Sequence, residues 1–471
     1  MKLGRAALFA AMAASLAACG GNDNSRRNLD SPPDTGGDTD SCSLSARQDW
    51  ARGVLEEWYL FPELLNTNVN QAAYSDVQSY LNAIVAQARA ERKDRFFTFI
   101  TSIEEENELI NSGSNAGFGV RLTYDEVQNR VFVAEAFENA PGFQAGFDRG
   151  TEILSVDGQS TSSIMAAGGA QAFSEALGPS EPGITRSFSI RSRSGVVSNP
   201  TVTKAEFSLD PVSDRYGVKI LDDGSGGQVG YVNLRTFIVQ DAAPQLRDAF
   251  QQFRDRGITN VILDLRYNGG GLVSVAELLG DLMAEGLEGQ IFSRTILRPS
   301  KSAEDSTDLF EQQPQQIRAM KLAVIGRGGT TSASELVTNS MIPYLGNNIA
   351  LIGTNTFGKP VGQFAFDRSA CDDRLRAVTF KTVNANDQGE YFDGLASVMP
   401  NTCRAGDDLT AQLGDSDEAS VSVALDFIAG RSCTPISASA KDGSVKAEGG
   451  STRLLQPDMP SAVQRDVPGL Y

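Results

Sequence analysis

The sequence contains no histidine among its 471 residues. A serine hydroxyl is a weak nucleophile at neutral pH and needs a neighbouring base, which in most hydrolases is histidine. The absence therefore excludes a Ser-His-Asp triad. A serine hydrolase built on this chain must use another base, and lysine is the known substitute.

Positive charge is also scarce. The chain has 41 lysines and arginines against 59 aspartates and glutamates, a formal net charge of −18. Nucleic-acid binding requires a basic face that neutralises phosphates, so this balance argues against a nucleic-acid partner. After residue 18 no apolar run is long enough to span a bilayer. The length predicts two or three domains.

The N-terminus has the pattern of a secretion signal. Within residues 1–18, Lys2 and Arg5 precede an apolar run over 6–16. The Leu-Ala-Ala-Cys sequence that ends at Cys19 resembles the bacterial lipobox, which implies a lipid anchor on Cys19. Gly20 in place of aspartate implies the outer membrane, facing the periplasm. Residues 19–42 are rich in Gly, Asn, Asp, Ser and Pro, which predicts a flexible tether.

Only five cysteines are present, and one of them is Cys19. The other four in an exported protein predict two disulfides with three permitted connectivities. Our expectation, which the sequence itself does not decide, is Cys371–Cys403 with Cys42–Cys433. No C-x-x-C spacing and no histidine accompany these cysteines, so we predict neither a metal site nor a cofactor.

The chain after the tether is predicted to be a multidomain α/β protein. Apolar residues at helical spacing predict a small N-terminal helical domain over 43–110. A strand-rich pattern follows over 111–209 and predicts a β domain. Over 210–433 strands alternate with helices, which predicts an α/β core with a mostly parallel sheet. Residues 434–471 are polar and aperiodic, and we predict a disordered tail.

Residues 117–158 resemble a PDZ domain of the circularly permuted bacterial type. The run contains Gly-Phe-Gly-Val at 117–120, Ala-Pro-Gly at 140–142 and Ile-Leu-Ser-Val-Asp-Gly at 153–158. The resemblance implies that a peptide adds a strand to the sheet edge, with its terminal carboxylate held by backbone N–H groups. The residues that would bind it are Gly117, Phe118, Gly119 and Val120. Because of this resemblance, the predicted β domain over 111–209 is called the PDZ-like stretch below.

Three further sequence motifs, referred to as blocks, contain the candidate catalytic residues. Asp-Leu-Arg-Tyr-Asn-Gly-Gly-Gly at 264–271 and Ser-Ala-Ser-Glu at 332–335 each follow a predicted strand, where functional residues of parallel sheets gather. Thr-Phe-Gly-Lys at 356–359 comes next, with Gln363 four residues later. In this order the blocks resemble the C-terminal processing peptidases, also called tail-specific proteases. The resemblance covers about residues 44–433.

The resemblance implies a role for each block. Ser332 would be the nucleophile, Lys359 its general base and Gln363 the residue that orients the lysine amine. The backbone N–H groups of Ala333 and Gly270 would form the oxyanion hole. To act as a base, Lys359 needs a pKa lowered from about 10.4 to roughly 7–8 by burial; we expect Phe357 and Ile352 to bury it. The spacing of Ser332 and Glu335 also fits a helix capping box.

The predicted function is that of a serine endopeptidase. It would cleave unfolded or C-terminally tagged exported proteins, and its partners would be protein or peptide substrates with accessible C-termini, with an adaptor or homo-oligomer also open. The alternative is a non-catalytic PDZ lipoprotein scaffold, or an apolar-ligand or peptide-binding module on the same fold. In that alternative the serine, lysine and glutamine are dispensable.

Overall fold

The computed structural model describes residues 42–437 and 452–471. The predicted secretion signal, the lipidation at Cys19 and most of the tether lie outside these residues. Within the two described ranges, no helix combines the length and apolar character needed to cross a bilayer.

The described residues form four consecutive stretches of secondary structure. The first contains α1 (Leu44–Trp58), α2 (Val77–Ile84), α3 (Ala86–Ala90), β1 (Phe99–Ser102) and α4 (Ile103–Ser112). The second contains β2 (Ser114–Gly117), β3 (Val120–Asp125), β4 (Arg130–Ala136), α5 (Pro141–Gln144), β5 (Glu152–Val156), β6 (Gln159–Ser160), α6 (Thr161–Leu177), β7 (Thr185–Arg191), β8 (Val197–Ser198), β9 (Thr201–Thr203) and β10 (Ala205–Ser208).

The third stretch is the core, and the fourth is short. The core contains β11 (Val218–Asp222), β12 (Gln228–Asn233), α7 (Ala242–Asp255), β13 (Asn260–Asp264), α8 (Val273–Leu282), β14 (Ile291–Leu297), β15 (Ser306–Leu309), β16 (Lys321–Gly326), α9 (Ala333–Leu345), β17 (Ile349–Gly353), β18 (Val361–Arg368), β19 (Asp373–Val383), β20 (Thr402–Arg404) and α10 (Ala419–Ile428). The fourth contains β21 (Thr452–Leu454) and α11 (Ala462–Asp466).

A six-stranded sheet organises the core, in the order β11-β12-β13-β16-β17-β20. From β12 to β20 neighbouring strands are parallel, and β11 pairs antiparallel with β12. Its central strands are apolar on both faces because α7, α8 and α9 cover one face and α10 the other. The carboxyl ends of β13, β16 and β17 are in register, so the loops that follow them converge at one edge of the sheet.

The N-terminal helices pack on a second, antiparallel sheet formed by β1, β14, β15, β18 and β19. Leu55, Tyr80 and Leu81 share one buried cluster with Phe366 and Leu375 of this sheet. The predicted domain boundary at residue 110 is therefore not a boundary of the hydrophobic core. Helices this short and few bury their apolar faces only by packing against strands from residues 361–383.

The PDZ-like stretch is joined to the core by buried ion pairs. Glu135 accepts hydrogen bonds from Arg235 Nε at 2.7 Å and from Tyr216 Oη at 2.6 Å. Arg149 Nη2 lies 2.7 Å from Asp407 Oδ1, with both side chains almost completely buried. Removing one partner of such a pair leaves a buried charge uncompensated, so these contacts hold the PDZ-like stretch against the core.

Residues 452–471 are ordered, so the prediction of a disordered tail is wrong for this part. Strand β21 pairs antiparallel with β3, and α11 begins at Ser461, whose side chain accepts the N–H of Gln464 at 3.3 Å. Leu455, Val467 and Leu470 are buried in the neighbouring clusters. These isolated apolar residues acquire partners only from distant parts of the chain, which an aperiodic local pattern does not reveal. The predicted tail residues 438–451 lie outside the described residues.

The disulfides are Cys42–Cys371 and Cys403–Cys433, with Cα–Cα distances of 5.5 and 5.4 Å. The expected pairing of Cys371 with Cys403 and of Cys42 with Cys433 is wrong. The first disulfide fixes the start of α1 beside β19, and Arg47 reinforces it by donating from Nε to Asp373 Oδ2 at 2.6 Å. The second joins the end of the core to β20.

The two disulfides should differ in their effect on stability because they close loops of 329 and 30 residues. Loop-closure entropy grows as (3/2)RT ln n, which favours the longer loop by about 2 kcal/mol. We expect Cys42→Ser/Cys371→Ser to lower the free energy of unfolding by about that much more than Cys403→Ser/Cys433→Ser, measured by urea denaturation. Equal losses would contradict this, and non-reducing peptide mapping checks the pairing.

Candidate active site

Ser332 lies at a sharp turn between β16 and α9. Its φ of 55° and ψ of −117° fall in a sparsely populated region, which costs a residue with a side chain about 1–3 kcal/mol. Gly270 lies directly opposite, where an added Cβ would be 2.7 Å from the Cβ of Ser332 and 3.1 Å from Ala333 N. The serine is thus held in a strained conformation against a glycine that a larger residue cannot replace without a clash.

Asn268, which precedes the glycine run, anchors this turn from the neighbouring strand. Its carbonyl accepts the N–H of Thr331 at 3.1 Å and the hydroxyl of Ser334 at 3.2 Å. Its own side chain donates to the Leu234 carbonyl at 2.9 Å. The loops after β12, β13 and β16 are therefore tied together around the serine.

Glu335 connects the serine turn to the lysine loop. One oxygen, Oε2, accepts the N–H of Ser332 at 3.2 Å and the N–H of Lys359 at 2.7 Å. The other, Oε1, accepts the N–H of Gly358 at 2.7 Å and the hydroxyl of Thr356 at 2.6 Å. The carboxyl group is fully buried; burial raises its pKa, and these hydrogen bonds oppose that rise.

The sequence identified only part of this role. The bond from Ser332 N–H to Glu335 is one half of the predicted capping box. The bonds to Thr356, Gly358 and Lys359 come from residues 21 to 24 positions later. No local pattern predicts them, because they depend on how the loop after β17 folds back over α9.

Lys359 is half-buried, and the withdrawal of its amine from solvent lowers its pKa to about 8. Its Nζ donates to Gln363 Oε1 at 2.5 Å, and Gln363 Nε2 in turn donates to the Phe97 carbonyl at 2.5 Å. The amine also lies 5.0 Å from the centroid of the Phe97 ring. Gln363 thus accepts a hydrogen bond from the lysine amine, which is the contact that its predicted role requires.

The apolar surroundings of Lys359 differ in part from the prediction. Phe357 lines the same cavity and its ring centroid lies 5.9 Å from that of Phe97. Ile352, however, is buried on the other face of the parallel sheet, with the residues of α10. The prediction for Ile352 is therefore wrong: alternate residues of β17 point to opposite faces, and Phe97 from the N-terminal segment contributes instead.

Arg95 is a residue of the site that sequence reasoning missed. Its Nη2 donates to the carbonyls of Phe357 and Gly358 at 2.7 and 2.5 Å and to the Phe392 carbonyl at 3.1 Å. Its guanidinium lies 4.1 Å from the Phe357 ring centroid. Burial lowers the pKa of Arg95 to about 10. An arginine 264 positions before Lys359 therefore holds the lysine loop from its other side.

The glycine run has a different hydrogen-bond pattern from the one predicted. Gly270 N–H donates to the side-chain oxygen of Asn268 at 2.8 Å. Gly269 N–H donates instead to the carbonyl of Asp466 at 3.0 Å. Both N–H groups therefore have partners within the chain: that of Gly270 is a side chain two residues earlier, and that of Gly269 is a carbonyl from the distant residues 452–471. The Ala333 N–H remains at the start of α9, beside Ser332.

The predicted peptide groove is occupied by residues of the same chain. Val120 N–H donates to the Tyr471 carbonyl at 3.2 Å, and Tyr471 N–H donates to the Val120 carbonyl at 2.9 Å. An added Cβ at Gly117 would lie 2.8 Å from the Tyr471 carbonyl carbon, and one at Gly119 would lie 1.9 Å from Ala140 Cβ. Phe118 is buried beneath them. Of the four predicted groove residues, Gly117 and Val120 thus adjoin the Tyr471 backbone, Phe118 shares an apolar cluster with Tyr471, and Gly119 packs against Ala140.

Ser332, Lys359 and Gln363 line one cavity of about 580 Å³. The structure therefore brings together the three side chains that the sequence placed in one site. In the ranges 42–437 and 452–471, no group of three or more Cys, Asp or Glu side chains is arranged to hold a metal ion.

Comparison with known proteins identifies relatives of this arrangement. Residues 228–396 match the model of peptidase family S41. A carboxyl-terminal-processing protease of Synechocystis is 26% identical over 325 residues, covering 68% of this chain and 68% of the relative. A chloroplastic C-terminal processing peptidase of Tetradesmus obliquus is 28% identical over 273 residues, 55% of this chain and 54% of the relative. The chain thus spans about half to two thirds of the length of these relatives.

A solved structure assigned to the S41 proteases, from Bacteroides fragilis, has the same fold. It aligns with a TM-score of 0.62 over 81% of this chain and 97% of that chain, at 22% sequence identity. Ser332, Lys359 and Gln363 all fall within the matched residues 228–396. Residues 228–396 are therefore similar to peptidase family S41, a family of serine-type peptidases, and the named relatives and the shared fold agree with that similarity.

Proposed function

We propose that this chain is a serine endopeptidase of the C-terminal-processing type, which cuts unfolded or C-terminally accessible exported proteins. One observation supports the proposal most directly. In a chain without histidine, a half-buried lysine with a pKa lowered to about 8 shares a cavity with a serine in a strained turn. A lysine that is partly neutral near physiological pH is the base that such a serine needs.

In the proposed reaction the neutral amine of Lys359 takes the proton of Ser332 Oγ while the oxygen attacks a peptide carbonyl. The tetrahedral intermediate collapses to an acyl-enzyme as the ammonium returns the proton to the departing amine. Water, deprotonated by the same lysine, then attacks the acyl carbonyl. Ser332 Oγ departs with the proton that the ammonium returns, and the acyl group leaves as a carboxylic acid that ionises in solvent. Gln363 keeps the amine directed throughout through its hydrogen bond.

Backbone donors would stabilise the negative oxygen of the intermediate. The N–H groups of Ala333 and of the glycine run are the candidates, and Gly269 N–H already donates to a peptide carbonyl, that of Asp466. Removing one such donor typically costs about 10²–10³ in rate. These donors are backbone groups. Gly270 contributes by having no side chain, because a Cβ at this position would lie 2.7 Å from the Cβ of Ser332.

Substrate recognition and location complete the proposal. The edge of β3, with the loop at 117–120, is suited to bind an extended peptide as an added strand. The lipobox at Cys19 supports attachment to the cell envelope, with the catalytic part in the periplasm. A non-catalytic scaffold would use the same edge but would not need Ser332 or Lys359.

Removing the nucleophile or the base should abolish cleavage. We expect Ser332→Ala to reduce proteolysis of an unfolded protein to background, and Lys359→Ala to lower kcat by about 10²–10⁴. Lys359→Arg should be as inactive as the alanine variant, because guanidinium does not lose its proton near neutral pH. The measurement is the rate of fragment release from an unfolded protein.

Lys219→Arg is the matched control for that experiment. Lys219 lies on β11, outside the residues that line the catalytic cavity, so this variant should retain the wild-type rate. Wild-type activity in Lys359→Arg would overturn the assignment of the base. A wild-type protein no more active than Ser332→Ala would favour the scaffold.

The pH dependence should follow the lysine. Since only the neutral amine accepts a proton, kcat/KM should rise with pH and level off above about 8. Gln363→Glu places a carboxylate beside the ammonium, which stabilises the charged form and should move the midpoint to higher pH. The exposed Gln128→Glu is the control and should leave the profile unchanged. A midpoint that does not move in Gln363→Glu would contradict the role of Lys359.

Glu335→Gln should weaken both activity and stability. Each carboxylate oxygen accepts from at least two donors, so the amide nitrogen necessarily faces N–H or O–H groups. We expect the free energy of unfolding to fall by about 1–3 kcal/mol and kcat to fall about 10²-fold through misplacement, with KM less affected. Glu390→Gln, whose side chain is 68% exposed, is the control. Unchanged kcat would show that Glu335 does not position the site.

A further inference from the structure

Residues 452–471, called here the return segment, run along the PDZ-like sheet and into the catalytic cavity. Strand β21 adds to β3, and Leu455 N–H donates to the Leu122 carbonyl at 2.9 Å. After α11 the chain returns to the same strand, where Leu122 N–H donates to the Gly469 carbonyl at 2.8 Å. The backbone groups of β3 that would bind a peptide are therefore already paired.

The end of the return segment is anchored by burial. The Tyr471 side chain is 3% exposed and belongs to the apolar cluster of the PDZ-like sheet, together with Phe118, Phe173 and Leu177. Val467 and Leu470 are buried in the adjoining core cluster. Removing an aromatic and two aliphatic side chains from water is favourable, so this end is held by more than its backbone hydrogen bonds.

Five residues before Tyr471, the same segment reaches the proposed catalytic groups. Asp466 offers its carbonyl to Gly269 N–H at 3.0 Å, and its side chain lines the cavity with Ser332 and Lys359. Arg465 lies beside it, with its guanidinium 4.1 Å from the Phe99 ring centroid and Nη1 donating to the Phe96 carbonyl at 2.6 Å. The segment is thus fixed at both the peptide edge and the cavity.

The charge of Asp466 opposes catalysis. Burial raises the pKa of its carboxyl to about 6, and Lys359 lowers it. In return, Asp466 is the strongest of the charges that raise the pKa of Lys359, against the effect of burial. An ionised Asp466 therefore favours the ammonium form of Lys359, which cannot accept the serine proton.

We propose that the return segment is an inhibitory ligand carried by the chain itself, which occupies the peptide edge and the catalytic cavity together and must be displaced by substrate. The inference rests on the proposed protease function. The return segment also indicates which substrates should compete best. They are extended polypeptides that place a large aromatic or aliphatic side chain where Tyr471 lies, five residues after the substrate residue that occupies the position of Asp466 in the cavity.

Occupancy can be measured without catalysis. In full-length protein carrying Ser332→Ala, a fluorescent peptide with the sequence of residues 452–471 reports whether β3 is free. We expect Tyr471→Asp in the chain to tighten peptide binding at least 10-fold, because an intramolecular competitor is released. Tyr471→Phe keeps the buried ring and Met459→Asp alters a side chain that is 74% exposed, so both should bind peptide as weakly as the parent.

Equal peptide affinity in the parent and Tyr471→Asp proteins would overturn the proposal. Asp466→Asn gives a second test that leaves the edge contacts of Tyr471 intact. In the active background, Tyr471→Asp and Asp466→Asn should each cleave an unfolded protein at least 5-fold faster than wild type. Circular dichroism and thermal melting verify that each variant is folded.

The activity assay separates the two proposals. If wild type and both variants cleave equally and faster than Ser332→Ala, the inhibitory segment is refuted and the protease function stands. If peptide affinity changes as expected but no variant exceeds Ser332→Ala, the protease function is refuted and occupancy of the edge stands.

Discussion

The buried carboxylate of Glu335 is the interaction on which the rest of the site depends. It receives the N–H of Ser332 on one side and the N–H groups of Gly358 and Lys359 on the other. Two loops that follow different strands of the parallel sheet are thereby held at fixed separation. A buried acceptor of several donors cannot move without leaving them unpaired, so the strained serine turn and the lysine loop are coupled rather than merely adjacent.

The depressed pKa of the lysine depends on parts of the chain far from it in sequence. Phe97 supplies a ring and a carbonyl, and Arg95 binds the carbonyls of residues 357 and 358. Both residues are held in place by N-terminal helices that have no core of their own and pack on the antiparallel sheet. The N-terminal stretch is therefore part of the environment of Lys359 rather than a separate module.

The PDZ-like sheet and the core are likewise one packed unit. Buried pairs such as Arg149 with Asp407 join them, and residues 452–471 pass from the edge of β3 to the glycine run. The sequence predicted a free peptide-binding edge at residues 117–120 and a disordered tail at the end of the chain. In the structure, the edge of β3 and residues 452–471 pack against and bury each other. Their complementarity could not be predicted, because it resides in single apolar residues such as Val467, Leu470 and Tyr471, without periodicity.

The sequence by itself determined the candidate groups of the site: no histidine, a serine after one buried strand, a glycine run after another, and a lysine with a glutamine four residues later. Motifs that directly follow predicted strands can be assigned to one site from sequence alone, because the carboxyl ends of parallel strands meet at one edge of the sheet. Only the tertiary structure decided the disulfide pairing, the place of Ile352 away from the lysine, the hydrogen-bond partners of Gly269 and Gly270, and the contacts of Glu335 and Arg95. Each of these depends on distances between residues far apart in the chain, which local spacing does not encode.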